Sequence, residues 1–164
     1  MLDEKKNEYV HCPPFRPSLR GCIGKDTRLA AAVYTCYSEA FFNIADNIHR
    51  SLIYRDCDAN LSNLFEELAE ADLDRFRLLE ELFLALNEAS RTSKTYYPCR
   101  KRSTCSPRTA DSPALEALWE RHRNIDCFET LMGRTEDRVV RSVFSKILSA
   151  ERILCRKLET FCNE

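Results

Sequence analysis

Glycine and proline are scarce in this chain, which has three glycines and six prolines among its 164 residues. All-β sandwiches and barrels need many turn residues, so this composition disfavours both. The sequence has no apolar run of about 18 residues, and its opening segment, MLDEKKNEY, lacks the apolar stretch that signal peptides carry. We therefore expect a protein that is made and kept in the cytoplasm and does not contact a membrane.

A surplus of charge of either sign is also missing. Lysine and arginine total 25 and aspartate and glutamate total 26, which gives a formal net charge of -1. General nucleic-acid binders and polybasic membrane binders need a cationic surface, so we expect neither activity. Hydrophobic residues make up 44% of the chain, which is enough for one buried core.

The nine cysteines include no CxxC pair. Secreted disulfide frameworks place an even number of cysteines in a shorter chain, so we expect these thiols to be mostly reduced. Some lie inside helical patterns, where a thiol acts as a small apolar side chain. Those are Cys36, Cys127 and Cys155.

The spacing of apolar residues predicts four helices. Residues 1–25 have no sustained period and contain prolines and glycines, so we predict an irregular N-terminal arm before one helical domain at 26–164. The predicted helices are 27–54 with a cap at Asp26 or Thr27, 61–87 with a cap at Asp58 or Asn60, 113–133 with Pro113 first and Gly133 last, and 135–161 with a cap at Thr135.

Residues 89–111 form a long connection between the second and third helices. They are basic, rich in serine and threonine, and contain two prolines. A helix of about 28 residues is roughly 42 Å long, and about 23 extended residues span up to roughly 75 Å, so this segment can return along the whole bundle. With short turns elsewhere, we predict an all-α four-helix bundle in which two antiparallel helix hairpins are joined by a long crossover.

The first helix is apolar over a wide arc, which suits a helix with two neighbours. Its apolar residues are Val33, Tyr37, Ala40, Phe41, Ile44 and Ile48 on one side, with Ala32 and Phe42 on another. The second helix instead has one narrow stripe with alternating spacings of four and three. Its members are Leu61, Phe65, Leu68, Asp72, Arg75, Leu79, Leu82 and Leu86.

Charged residues interrupt the predicted inward stripes near mid-length. Besides Asp72 and Arg75, the third helix places Arg121 and the fourth places Glu151 on such a stripe. Charged side chains are almost never fully buried without partners, so these residues either lie at helix–helix edges and point to water or meet one another at one level of the bundle. Glu39 of the first helix is predicted to lie at the same level.

Three segments of the chain resemble the ferritin-like superfamily, in particular its rubrerythrin and bacterioferritin-like branch, which is common in anaerobic bacteria. They are YTCYSEAFFNIADNI, LAEADLDRFRLLEELFLAL and IDCFETLMGRTEDRVVRSVFSKILSAERILCRKL, within residues 27–162. The resemblance implies a bundle that often dimerises and holds two iron or manganese ions. One Glu from each of two helices and Glu-x-x-His from each of the other two bind these ions in the family.

The metal-binding pattern of that family is altered in this chain. Three of four acids remain if Asp is counted, and neither histidine does. Arginine stays protonated and only donates hydrogen bonds, so it cannot be a metal ligand. We therefore predict an Arg–carboxylate network in place of the metal centre. The positions carried over are Glu39 in the first helix, Asp72 and Arg75 in the second, Arg121 in the third, and Glu151 and Leu154 in the fourth.

This departure favours a non-catalytic protein with a structural or interaction role. We expect no cofactor, and a homodimer or an unidentified protein partner. The alternative is a rubrerythrin-type oxidoreductase that binds iron or manganese through Glu39, Asp72 and Glu151. A third interpretation is a cysteine-based redox or zinc protein.

Each of the other candidate sites has an ordinary structural explanation as well as a functional one. For Asp46 and His49 the two interpretations are a displaced metal site and a solvated helix end. For His122 they are a metal ligand and a residue at the boundary between core and solvent. The thiols and imidazole of the N-terminal arm and the connection suit zinc but have no zinc-knuckle spacing. These are His11, Cys12, Cys22, Cys99 and Cys105.

Two further clusters have surface roles. A basic and aromatic group in the connection has two interpretations, contact with phosphates or a loop that is charged only because it faces solvent. It comprises residues 100–102 with Arg108, Tyr96 and Tyr97. Surplus apolar residues suit a helix-on-helix dimer interface. These are Phe41, Phe42, Tyr54 and Trp119.

Overall fold

The computed structural model describes residues 26–89 and 112–163, and within those ranges it contains four helices and no strand. The predicted all-α four-helix architecture is therefore confirmed. None of these described helices combines the length and the apolar character needed to cross a lipid bilayer. The helices are α1 (Thr27–Tyr54), α2 (Ala59–Ala89), α3 (Pro113–Gly133) and α4 (Arg138–Cys162).

Several predictions fall outside the described residues. They are the N-terminal arm at 1–25, the connection at 90–111 with its basic and aromatic cluster, and the zinc candidates at His11, Cys12, Cys22, Cys99 and Cys105.

Aspartate side chains cap the first two helices as predicted. Asp26 Oδ1 accepts hydrogen bonds from the backbone N–H groups of Arg28 and Leu29 at 3.0 and 2.9 Å. Asp58 Oδ1 accepts one from the N–H of Leu61 at 2.9 Å. The first N–H groups of a helix have no partner within it, so these carboxylates fix where α1 and α2 begin.

The predicted cap of the last helix is wrong. Asp137, not Thr135, caps α4: its Oδ1 accepts from the N–H groups of Val139 and Val140 at 2.8 and 3.2 Å. Thr135 is buried two residues earlier, and its Oγ1 accepts from the N–H of Asp137 at 3.2 Å. The threonine therefore orders the turn that presents the aspartate, and α4 begins at Arg138.

Two apolar clusters fill the two ends of the bundle. The upper cluster joins the first half of α1, the ends of α2 and α3, and the start of α4. The lower cluster joins the starts of α2 and α3 to the end of α4. It follows that α2 and α3 run in the same direction, with α1 and α4 opposite to them. Ala89 and Pro113 therefore lie towards opposite ends of the bundle.

Helix pairing follows chain order. The main contacts of α1 are with α2, those of α3 are with α4, and α2 also contacts α4. The eight residues of the predicted α2 stripe are all buried. The predicted α4 stripe is buried except at Leu154 and Phe161, which are half-buried against the lower cluster. Its other members are Val140, Phe144, Ile147, Glu151 and Leu158.

The inward face of α1 differs from the predicted one. Phe41 and Ile48 are 57% and 47% exposed. Small and polar side chains occupy the buried face because the centre of the bundle holds charged groups that need polar partners and room. The buried residues of α1 are Leu29, Ala30, Val33, Cys36, Ala40, Asn43, Asn47 and Ser51.

Candidate functional site

Four charged side chains meet in the middle of the bundle, between the two apolar clusters. Asp72 and Arg75 come from α2, Arg121 from α3 and Glu151 from α4. Their exposed fractions are 0%, 5%, 1% and 2%. The two cations and two anions balance, and the predicted contact among these four residues is confirmed. We call them the central network.

Asp72 is the most fully engaged member of the central network. Arg121 binds it with two parallel hydrogen bonds, Nη1 to Oδ1 at 2.6 Å and Nη2 to Oδ2 at 2.8 Å. Arg75 Nη2 lies 2.8 Å from Oδ1, and Asn47 Nδ2 donates to Oδ2 at 2.8 Å. A carboxylate offers about four lone-pair sites, so Asp72 has no acceptor site to spare.

Glu151 connects the two arginines on the side of α4. Arg75 Nη1 donates to its Oε1 at 2.6 Å, and Arg121 Nη1 lies 3.4 and 3.5 Å from Oε1 and Oε2. Arg75 therefore bridges two carboxylates from different helices. Charge-assisted contacts of this kind are short and directional, so they fix how α2, α3 and α4 are placed relative to one another.

The charge of Arg121 is stabilised by its neighbours. Burial alone would lower the pKa of this guanidinium, but the carboxylates of Asp72 and Glu151 outweigh burial, and the pKa is raised above its ordinary value. Arg121 therefore stays protonated in the bundle, as the central network requires.

Two asparagines of α1 bind the central network, and neither was predicted from the sequence. Asn47 donates to Asp72 as described above. Asn43, with its amide oriented to satisfy both neighbours, accepts from Arg75 Nη2 at 3.2 Å and donates to the backbone carbonyl of Glu39 at 3.2 Å. The sequence contains a pattern that places both asparagines on an inward face. Positions 33, 36, 40, 43 and 47 of α1 alternate by three and four, which is the spacing of an inward stripe.

The prediction that Glu39 joins the buried charges is wrong, because its side chain is exposed. It lies one turn before Asn43, on the wall of a cavity of about 180 Å³ that Arg75 also lines. The first helix thus contributes neutral amides to the centre rather than a carboxylate. The net charge of the central network is zero, not the -1 that including Glu39 would give.

The central residues do not fit a divalent cation. Metal ions of this type need free carboxylate oxygens, whereas four donors already occupy Asp72. The Nε atoms of Arg75 and Arg121 are buried and have no hydrogen-bond partner within residues 26–89 and 112–163. These atoms are also donors, so the groups with unused hydrogen-bonding capacity here would attract an acceptor and repel a cation.

The other predicted metal candidates within the described residues are partly or fully exposed. Asp46 accepts from Arg50 Nε at 3.1 Å, while His49 is exposed. His122 is exposed, with its Nε2 3.9 Å from Glu159 Oε1. Across the described part of the chain, no three His, Cys, Asp or Glu side chains gather in a group that could hold a metal.

The apolar residues assigned to a dimer interface fall into two groups. Phe41, Phe42 and Trp119 are exposed. Tyr54 is half-buried and stacks on Phe65 of α2, with ring centroids 5.9 Å apart. Tyr54 therefore belongs to the core at the lower end, whereas the other three are surface residues.

Comparisons with known proteins add no assignment. No protein-family model, curated protein or solved structure matches this chain.

Proposed function

We propose that this chain is a non-catalytic bundle of ferritin-like descent, in which the central network has replaced a di-metal centre and the molecule serves as a structural or interaction protein. The observation that carries the proposal is the complete engagement of Asp72 by Arg121, Arg75 and Asn47. A carboxylate held by four donors is a structural element, since it has no lone pair to offer a metal or a substrate proton.

Charge balance supports the same proposal. Two divalent cations would bring four positive charges and would need several anionic ligands. Here two guanidinium groups neutralise two carboxylates at distances of 2.6 to 2.8 Å. Buried networks of this kind add little net stability, because the loss of hydration offsets the attraction, but they penalise every arrangement in which a charge is left alone. We infer that the central network selects one packing of the four helices.

A metal-binding experiment tests the loss of the di-metal centre. The chain is purified without chelator from cells supplied with iron and manganese, and its metal content is measured by mass spectrometry. We expect far less than one ion per chain and no peroxide turnover. Two bound ions per chain in the natural protein would contradict the proposal and favour the oxidoreductase.

A matched variant restores the family pattern in the same chain. It carries Asp72→Glu, Arg75→His, Arg121→Glu and Leu154→His, which rebuild Glu-x-x-His on α2 and α4. We expect it to gain iron or manganese relative to the natural chain, because its centre then offers carboxylates and imidazoles in place of guanidinium groups.

The proposed interaction surface is the outer face of α1. Phe41, Ile48 and Leu52 are all about half exposed and are seven and four residues apart, so they share one face of the helix. A stripe of this kind suits helix-on-helix pairing with a second copy, and we propose a homodimer.

Oligomeric state tests this surface. We expect the natural chain to sediment as a dimer and Ile48→Glu to shift it to a monomer, because a buried unpaired carboxylate would oppose pairing. Ile153→Glu on α4, another exposed apolar position, is the matched control and should leave the dimer intact. A natural chain that stays monomeric at high concentration would exclude the dimer.

A further inference from the structure

Two cysteines from different hairpins lie side by side. Cys36 is on α1 and Cys127 is on α3, 91 positions later, and their sulfur atoms are 3.8 Å apart. An approach of roughly 2 Å would bring them to the S–S bond length of about 2.05 Å. Cys36 is buried and Cys127 is exposed, so the pair combines an accessible thiol with a protected one.

Both thiols border the cavity of about 180 Å³ described above. The cavity gives a small oxidant room beside the sulfur atoms. Its wall includes Arg75 and Asn124, whose buried Nε and Nδ2 atoms have no hydrogen-bond partner among the described residues. The positive charge of Arg75 at this wall favours negative charge that develops beside it.

We propose that Cys36 and Cys127 form a peroxide-reactive dithiol, in which hydrogen peroxide converts the two thiols into a disulfide that ties α1 to α3. The proposal concerns a modification site outside the central network. It does not depend on the proposed function, since it holds whether or not the bundle once bound metal.

The chemistry proceeds in two balanced steps. The Cys127 thiol releases its proton, and the thiolate attacks one oxygen of hydrogen peroxide, so that an S–O bond forms, the O–O bond breaks and the departing hydroxide takes up the released proton as water. The sulfur is oxidised by two electrons and the peroxide is reduced. The Cys36 sulfur then attacks the sulfenic sulfur of Cys127: the S–S bond forms, the S–O bond breaks, and the hydroxyl group leaves with the Cys36 proton as water. Two thiols and one peroxide give one disulfide and two waters.

The environment assigns the order of these steps. The hydrogen bond with Cys127 and burial both raise the pKa of Cys36 well above its ordinary value, so this thiol remains protonated until it meets a sulfenic acid. The thiolate is the form that reacts with oxidants, and solvent reaches Cys127 rather than Cys36. Cys127 is therefore the residue attacked first, and Cys36 is the resolving residue.

The disulfide would hold the two helix hairpins together and raise the thermal stability of the bundle. It would close a loop of about 90 residues and link α1 of the first hairpin to α3 of the second, so the two hairpins could no longer separate. Cross-links over loops of this length raise the melting temperature of a domain of this size by about 10 °C. We expect that shift on oxidation and its reversal by a thiol reductant.

Peptide mapping of the full chain tests the proposal. The fully reduced protein is treated with one equivalent of hydrogen peroxide, alkylated, digested with trypsin and examined by mass spectrometry. We expect peptides 29–50 and 124–134 to be recovered as one linked species, two hydrogens lighter than their sum, from a chain that is not cross-linked to a second copy. Recovery of both peptides alkylated, while Cys57 or Cys162 is oxidised, would overturn the proposal, as would a dominant link from Cys36 or Cys127 to another cysteine.

Single variants separate the two roles. Cys36→Ser should leave a sulfenic acid on Cys127 that a 1,3-dione reagent captures, whereas Cys127→Ser should leave Cys36 alkylatable and lower the rate of peroxide consumption. Cys155→Ser removes a buried cysteine in the lower cluster and is the matched control; the link should persist in it. If Cys36→Ser yields no adduct at Cys127, the proposed order is wrong. The mapping of the natural chain stands independently of how well the variants fold.

Discussion

The middle of this bundle and its two ends are built on different physical principles. At the ends, apolar side chains pack from all four helices, and burial of this kind is nondirectional, so each residue contributes largely by its own area. In the middle, the four residues of the central network are nearly as inaccessible to solvent, but they depend on one another through oriented hydrogen bonds. The comparison shows that equal burial does not mean equal tolerance of substitution.

The largest loss of stability is expected from a substitution that leaves a buried charge without its partner. Arg121→Ala removes both hydrogen bonds of the bidentate pair and leaves Asp72 with one cation fewer in a dry site. We expect the free energy of unfolding to fall by about 3–5 kcal/mol. Urea unfolding followed by circular dichroism measures it.

Two controls place that loss in context. Leu82→Ala in the upper cluster should cost about 2–5 kcal/mol, an ordinary cavity effect in which no charge is left alone. Arg152→Ala breaks the exposed pair with Glu129 and should cost about 1 kcal/mol or less. An Arg121→Ala chain that behaves like Arg152→Ala would mean that water reaches the centre in solution.

A smaller effect is expected from the neutral partner on α1. Asn47→Ala removes the donor 2.8 Å from Asp72 Oδ2 while all four charges remain. Hydrogen bonds to charged groups contribute about 1.5–3 kcal/mol, so we expect a loss in that range by the same unfolding measurement. Asn60→Ala replaces an exposed asparagine near the start of α2 and should change stability little. Equal effects of the two substitutions would remove α1 from the central network.

The smallest net change is expected when one cation and one anion leave together. Arg121→Met combined with Asp72→Leu keeps the volume filled and leaves Arg75 paired with Glu151 at 2.6 Å. Such exchanges are close to neutral, so the double variant should lie within about 2 kcal/mol of the natural chain. In a double-mutant cycle with the two single substitutions, the double variant should lose at least about 3 kcal/mol less than the sum of the single losses, because each single substitution leaves a buried charge unpaired. Additive losses would show that the middle behaves like the ends.

The helices and the charged members of the central network were predictable from local spacing. The α2 stripe alternates by four and three through Leu68, Asp72 and Arg75 to Leu79, and that alternation alone places the charged pair on the buried face. Asp26 and Asp58 were likewise recognisable as caps, because a short acidic side chain before a helical period satisfies the first N–H groups.

The orientation of α1 was not predictable in the same way. It has large apolar residues on the side of Phe41 and Ile48 and small or polar ones on the side of Ala40, Asn43 and Asn47. Hydrophobicity alone favours burying the first side. The second is buried because Asp72 and Arg75 of the neighbouring helix need amide partners, and that demand comes from another part of the chain.

Sequence by itself determined the four helices, the acidic caps of α1 and α2, and the appearance of two arginines and two carboxylates on inward faces, because each depends on residues within a few turns of one another. Only the tertiary structure decided which donor meets which oxygen, that Glu39 stands outside while two asparagines stand inside, and that Cys36 lies beside Cys127. Those outcomes depend on which of two candidate faces α1 turns inward and on how far each helix is shifted along its neighbours, and helical period alone settles neither.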